Sequence, residues 1–305
     1  MEKKKIAIIG LTGQSIFLNI DNFHKDGETK QANNLYIEPG GKGYNQAVAC
    51  KKLDSEVYFL TSVGKDEYGK VCEQVLIDLG VNTYFSKKDE STALATIITN
   101  SNGDNQVTVY KGASDLLNLN DLNNFKEIIK QCDILLVQNE IPYEVLKEAI
   151  IYAEKNNVFV IYNPAPAIYD INELLPYINV LIPNESEFKT LFNKSIDEIE
   201  INNDLELIVT LGKDGCVYKN KNITKYHPSI KVNAIDTTGA GDVFCSGISS
   251  FINNKSITSE TINLSTIASS IHVQRKYIIN AAPSKQEVIN KYNELFNEKM
   301  EKNND

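Results

Sequence analysis

The 305-residue chain is 42% hydrophobic and 23% charged, and 40 acidic against 31 basic side chains give it a net charge of −9. That balance is ordinary for a soluble globular protein with room for one large, decorated α/β domain, and it argues against a nucleic-acid or anionic-membrane surface, which needs clustered Lys and Arg. Five scattered cysteines without metal-ligand spacing read as reduced thiols of a cytoplasmic protein, and three unclustered histidines disfavour zinc or Ser-His-Asp chemistry.

Three lysines precede Ile6–Ile9, and Gly10 ends the apolar run before it reaches the roughly 7–15 residues of a secretory core, so Lys5–Ile9 reads as a first strand. No apolar run approaches the ~20 residues of a membrane span. Residues 16–20 alternate like a half-exposed strand, and 34–38 look like another. Glu38 to Cys50 then runs E-P-G-G-K-G-Y-N-Q-A-V-A-C, a glycine-rich loop leading into a helix, with Lys42 and Asn45 as its polar residues. A solvated lysine at a helix start is the plainer explanation, yet glycines packed around one lysine are costly unless the backbone must approach a ligand closely. No G-x-x-x-x-G-K-[ST] occurs, so this is not a Walker A loop.

Residues 57–63 form an apolar strand, followed by a helix through Leu79 that Gly80 closes. The β-branched runs 92–99 and 106–111 are joined by N-S-N-G-D-N, a hairpin signal. With 15–21 and 34–38 they make a small separate sheet of four strands, inserted in the α/β core. From Cys132 the pattern becomes regular: strands at 134–137, 158–162, 180–182 and 205–210, with an amphipathic helix over 143–153, predict a parallel, doubly wound sheet.

Ligands of such sheets sit beyond the carboxyl ends of the strands. Those ends carry Asn139-Glu140, Asn163-Pro164-Ala165-Pro166, Pro183 to Glu187, and Thr210-Leu211-Gly212. Any one of these polar residues serves equally well as a helix cap, but polar, turn-rich ends in succession point to one composite site. Asn184 and Glu187 are three apart, a spacing that fits a capping box and also an amide and a carboxylate ordering water around magnesium.

The last motif is I-D-T-T-G-A-G-D-V-F, Ile235 to Phe244. Gly239-Ala240-Gly241 opens a helix, offering backbone N–H groups at its positive end where an oxyanion or phosphate can be held. Asp242 follows in the first turn. A carboxylate there repels a bound phosphate but suits the removal of a proton from a hydroxyl that attacks it; the duller alternative is a dipole-matched surface residue.

Together these motifs resemble the ribokinase (PfkB) family of sugar and nucleoside kinases over nearly the whole chain, from Ile6 to about Ser284. The matching stretches are P-G-G-K-G-Y-N-Q-A at 39–47, E-S-T-A-L-A at 90–95, N-P-A-P at 163–166, P-N-E-S-E at 183–187, T-L-G-K-D-G at 210–215 and D-T-T-G-A-G-D-V-F at 236–244. The resemblance implies a Rossmann-type α/β three-layer sandwich, one domain over 1–305, with a small β-sheet lid. It implies ATP and Mg2+ as cofactors and transfer of the γ-phosphate to a hydroxymethyl oxygen, with Asp242 as base and the amides of Gly239, Ala240 and Gly241 as anion hole. Sugar contacts are implied at Gly41, Lys42, Asn45 and Glu140. Nucleotide contacts are implied at Asn184, Thr210, Gly212 and His272, a magnesium-water contact at Glu187, and a homodimer paired through the lids.

Two departures matter. Close relatives carry an early G-S-x-x-x-D segment whose aspartate grips two ring hydroxyls, and alignment back from Gly27-Glu28-Thr29 puts Ser15 there, with Gly13 at the place of a sugar-contacting asparagine. Losing that carboxylate forfeits charge-assisted contacts of about 1.5–3 kcal/mol apiece, which makes ribose doubtful; the smaller side chains are expected to leave room for a bulkier or less hydroxylated sugar, or a nucleoside. The second departure is R-K-Y-I-I-N-A-A-P-S, 275–284. Potassium-activated relatives have a shorter, Gly-containing loop there that acts with the residues matching Asp236 and Thr238, so weak monovalent-cation activation is expected. A ligand sensor that kept the fold without turnover is the rival of another class, though a sensor needs no base. A nicotinamide oxidoreductase is disfavoured, because no G-x-G-x-x-G follows the first strand.

Overall fold

A computed structural model describes residues 3–201 and 204–301. The strands are β1 (Lys5–Ile9), β2 (Gly13–Asn19), β3 (Asn34–Gly40), β4 (Glu56–Gly64), β5 (Asn82–Lys88), β6 (Ala93–Thr99), β7 (Asn105–Tyr110), β8 (Ile134–Gln138), β9 (Phe159–Asn163), β10 (Val180–Leu181), β11 (Glu206–Thr210), β12 (Cys216–Lys219) and β13 (Thr224–His227). The helices are α1 (Lys42–Lys52), α2 (Glu67–Asp78), α3 (Leu119–Lys130), α4 (Tyr143–Lys155), α5 (Glu185–Phe192), α6 (Ala240–Phe251), α7 (Ser259–His272) and α8 (Lys285–Glu301).

The large sheet runs β13-β12-β11-β10-β9-β8-β1-β4-β5. Strand β1 explains why: Ala7 and Ile9 point to one apolar layer, Ile6 and Ile8 to the other, so it reads as a continuous hydrophobic run and must be covered on both faces. Helices α3 and α4 supply Leu122, Phe125, Leu146 and Ile150 to the first layer. Helices α1, α2 and α6 supply Tyr44, Leu76 and Phe244 to the second. Flanked by β4 and β8, both parallel to it, β1 marks the point where strand order reverses.

The expectation of a purely parallel sheet fails at one edge, where β12 and β13 run antiparallel. The reason is local: Leu211 N–H donates to Gly215 O at 2.8 Å, and the turn of 212–214 reverses the chain without a crossover helix. Strand β5 went unpredicted because N-T-Y-F-S-K-K is a half-exposed edge with little apolar content.

The small sheet, order β3-β2-β6-β7, forms the lid. Its register puts Ser15 opposite both Glu38 and Ala95, and Phe17 opposite both Tyr36 and Ile97, so these rows share the lid's inner face. Every cysteine is a buried free thiol. No described helix is long and apolar enough to cross a membrane.

Candidate active site

The carboxyl ends of β8, β9 and β11 meet the starts of α1, α5 and α6 in one cleft beside the lid. Helix α6 opens at Gly239, whose φ of 76° lies in the left-handed region that glycine adopts without strain. Val243 N–H donates to Gly239 O at 2.9 Å, and Ala240 N–H to Thr237 O at 3.2 Å. Among the described residues the amides of Gly239, Gly241 and Asp242 have no protein acceptor. Of the three amides expected to form the anion hole, that of Ala240 is engaged in a turn, while the Asp242 N–H is open beside those of Gly239 and Gly241.

The Asp242 side chain is 5% exposed. Its Oδ2 accepts from Asn45 Nδ2 at 2.8 Å and its Oδ1 from Gln46 Nε2 at 3.1 Å. Both donors sit on the first turns of α1, because Gly41, with φ of 104°, starts that helix with the backbone pressed against Leu11. Gln46 is held in turn: its Oε1 accepts from Gln138 Nε2 at 2.5 Å, and its Nε2 also approaches Asn163 Oδ1 at 3.4 Å. Ser246 Oγ on α6 donates to Asp242 O at 2.8 Å and lies 3.2 Å from Gln46 O, stitching the two helices. A carboxylate has about four acceptor sites, so two on Asp242 remain open. Asn45 Oδ1 is buried without a partner, an acceptor awaiting a donor.

Lys42 N–H donates to Glu140 Oε2 at 2.8 Å, so Glu140 caps α1 across the cleft from the end of β8. Burial disfavours the charged Lys42 ammonium, but Asp242, Glu140 and Glu187 hold its pKa above the ordinary lysine value. Burial raises the Glu140 and Glu187 carboxyls, with Lys42 opposing. Asn184 and Glu187 form the full capping box of α5: Asn184 Oδ1 accepts from Glu187 N–H and Glu187 Oε2 from Asn184 N–H, each at 2.8 Å. Thr210 N–H donates to Pro183 O at 3.0 Å, which aligns the end of β11 with Asn184. Gly212 follows with open space around it.

Other expected site residues fall differently. His272 is fully buried behind the Gly239 loop; since Thr238 O can only accept, His272 Nε2 carries the proton and donates to it at 2.7 Å. It supports the loop and has no surface to offer a nucleotide. Asp236 accepts from Thr238 N–H at 2.9 Å and from Tyr277 N–H at 3.2 Å, so the atoms expected at a monovalent-cation site, Asp236 carboxylate and Thr238 carbonyl, already have N–H donors. Gly13 does not create room: a Cβ there would collide with Ala93 O, because β6 packs directly on it. Ser15, 5% exposed, lies on the inner lid face beside Gly40.

Sequence reasoning quoted Gln46, Asn163 and Glu38 without assigning them roles, and missed Gln138. Gln46 was legible as the residue after Asn45 on one helical turn. Glu38 was legible as an acid at an inward position of a strand: it is 3% exposed, and burial, opposed by Ile278 and Ile279 N–H groups and worsened by Asp236, pushes its carboxyl up to about 7.

Residues 3–285 match the model of the pfkB family carbohydrate kinases. A ribokinase of Lactococcus lactis is 32% identical over 297 residues, covering 95% of this chain and 98% of that protein. A deoxyribokinase of Salmonella typhi is 33% identical over 257 residues, covering 78% and 82%. The structure of Arabidopsis thaliana ribokinase complexed with ribose and ATP is similar with a TM-score of 0.83 at 26% identity, covering 95% and 98%.

Proposed function

Because this chain belongs to the pfkB family of carbohydrate kinases, phosphotransferases with an alcohol acceptor, we propose that it moves the γ-phosphate of ATP to a hydroxymethyl oxygen of a sugar or sugar derivative, with Asp242 as general base. The observation that carries this reading is the Asp242 carboxylate, buried, gripped from one side by Asn45 and Gln46, and placed on the first turn of the helix whose opening N–H groups have no acceptor. Asp242 takes the proton of the acceptor hydroxyl as its oxygen bonds to the γ-phosphorus; the bond to the β-phosphate oxygen breaks and ADP leaves. The amides of Gly239, Gly241 and Asp242 receive the phosphoryl oxygens at the helix's positive end. Lys42, held charged opposite Asp242 and Glu187, offsets the negative charge gathered in the cleft.

The acceptor lies against Gly41, Lys42 and the unpartnered Asn45 Oδ1, with Glu140 Oε1 available beside them. Asn184, Thr210 and Gly212 line the nucleotide side. Magnesium supplies charge neutralisation of the phosphates, and Glu187 with Asn184 would hold its waters. An amide and a carboxylate together at the start of α5 suit a cation that keeps most of its hydration shell.

Ser15 offers one hydroxyl where the family pattern has a carboxylate, so a less hydroxylated sugar is favoured over ribose. The packing at Gly13 withdraws support for a bulkier one. The lid's outer face carries Ile16, Leu18, Leu35, Ile37, Ile98 and Tyr110, of which Leu35, Ile37 and Tyr110 are 45–56% exposed; an apolar patch of this kind supports pairing of two lids in a homodimer, which sedimentation of wild type against Ile37→Glu tests.

The deciding experiment is ADP release with a panel of sugars and nucleosides, in wild type and Asp242→Ala. Acceptor-dependent turnover that vanishes in the variant supports the kinase. Saturable acceptor binding without turnover supports the sensor, and ribose turnover of about 10⁴ M⁻¹s⁻¹ or more overturns the ribose argument.

A further inference from the structure

Tyr277 has a φ of 70°, a conformation sparsely populated by bulky residues and sustained only where surrounding structure imposes it. A left-handed residue in a turn aims successive N–H groups to one side and creates an anion-binding concavity. Two carboxylates from distant parts of the chain occupy it. Asp236 Oδ2 accepts from Tyr277 N–H at 3.2 Å, while Glu38 Oε1 accepts from Ile278 N–H at 2.8 Å and Oε2 from Ile279 N–H at 3.4 Å. Glu38 belongs to the lid strand β3; Asp236 belongs to the catalytic loop, where its Oδ1 accepts from Thr238 N–H at 2.9 Å, next to Gly239.

Apolar contacts seal the same junction. The Tyr277 ring stacks on Tyr36, two residues before Glu38, with centroids 3.4 Å apart and planes 17° apart, and meets Phe17 at 6.1 Å edge-on. Ile278 packs with Phe17 and Ile97 on the inner lid face. On the far side, Lys52 Nζ at the end of α1 donates to Ile279 O and, at 3.1 Å, to Ala282 O. A lid that needed only to pack would present apolar residues, since a buried carboxylate is costly unless hydrogen-bonded. The loop 277–279 is therefore a strut with specific fastenings at both ends.

We infer that Glu38 is a positioning residue that couples the lid to the phosphate-holding amides, through the amides of 277–279, Asp236 and Thr238. When the lid lies over the acceptor, Glu38 fixes the strut, and the strut fixes Asp236 against Thr238 so that the Gly239 and Gly241 amides are aimed. When the lid lifts, one fastening is lost and the catalytic loop relaxes. The role in turnover rests on the kinase reading above; the mechanical link does not.

The test is amide hydrogen exchange, read by mass spectrometry on the full chain, in wild type, Glu38→Gln and Glu38→Ala. Gln keeps an acceptor for Ile278 and nearly the same shape, so it serves if Ala folds poorly. The coupling predicts exchange faster by about tenfold in Glu38→Ala over 277–279 and also at the hydrogen-bonded amides of Thr238 and Ala240, with β8 and β9 unchanged and Gln intermediate. Faster exchange confined to 277–279, with Thr238 and Ala240 at wild-type rates, overturns the proposal. In kinetics the same variants are expected to lose kcat more than they raise the KM for ATP, and to hydrolyse more ATP per acceptor phosphorylated, as water enters a loosened cleft. A wild type inactive on every acceptor would remove the kinase reading and leave the exchange result to decide the coupling alone.

Discussion

Asp242 and Glu38 are both nearly inaccessible carboxylates gripped by two N–H donors, yet their mountings are opposite. The donors to Asp242 are side-chain amides on one helix, locked by Gln138, Asn163 and the α1–α6 contact, so the grip is independent of any moving part. The donors to Glu38 are backbone amides of a loop on another part of the chain, so the grip exists only while lid and loop meet. An acid that must meet a reacting proton is best held rigidly, whereas an acid that reports lid position needs a bond that can be made and broken.

The largest effect that would break this comparison is chemical. Asp242→Ala is expected to lower kcat by about 10²–10⁴-fold, the usual contribution of a general base, while Glu38→Gln stays within about tenfold; equal losses, measured by coupled ADP release, would erase the distinction between the two acids. Next comes Gln46→Leu, which leaves Gln138 and Asn163 buried without their partner and should destabilise by about 1–3 kcal/mol in urea unfolding, with kcat reduced because Asp242 loses a donor.

A smaller effect separates the two by pH. The Glu38 carboxyl stands at about 7 in the folded protein against an ordinary 4.5, with burial as the main cause, and the groups facing it are Asp236, Tyr36 and Tyr44. Folding therefore binds a proton between those values: the stabilisation is complete below the ordinary value and is lost as pH rises through about 7. Glu206, also raised to about 7 by burial, carries the same sign, so the difference between variants is the readout. The Tm of Glu38→Gln is expected to gain on wild type from about pH 5 to about pH 8; a constant difference contradicts it. The smallest effect is ionic. With the 275–284 loop lacking the glycine of potassium-activated relatives, exchanging sodium for potassium should change kcat by no more than about twofold, well under the ~1.4 kcal/mol of a tenfold change.

Much of the fold was legible because periodicity survives burial: β1, β8, β9 and β11 are short apolar runs, and α4 repeats its apolar face. The β12–β13 edge was not, since antiparallel return depends on the Leu211–Gly215 turn and on pairing no local pattern records. Within the cleft, helix starts and strand ends gave Asp242, Lys42, Asn45, Glu140 and Asn184 as one cluster. The two expected residues of the Gly239 loop that are engaged within the protein instead, Ala240 and His272, share a cause: sequence names the residues of a loop but not which N–H or ring turns inward. Gly13 misled because a missing side chain can be filled by a neighbouring backbone.

The most direct measurement is a crystal structure with a non-hydrolysable ATP analogue and an accepted sugar. The account predicts terminal phosphate oxygens on the amides of Gly239, Gly241 and Asp242, and the sugar's hydroxymethyl oxygen at about 2.6–3.2 Å from an Asp242 oxygen. A terminal phosphate bound away from the start of α6, or a hydroxymethyl group facing another acid, would contradict it.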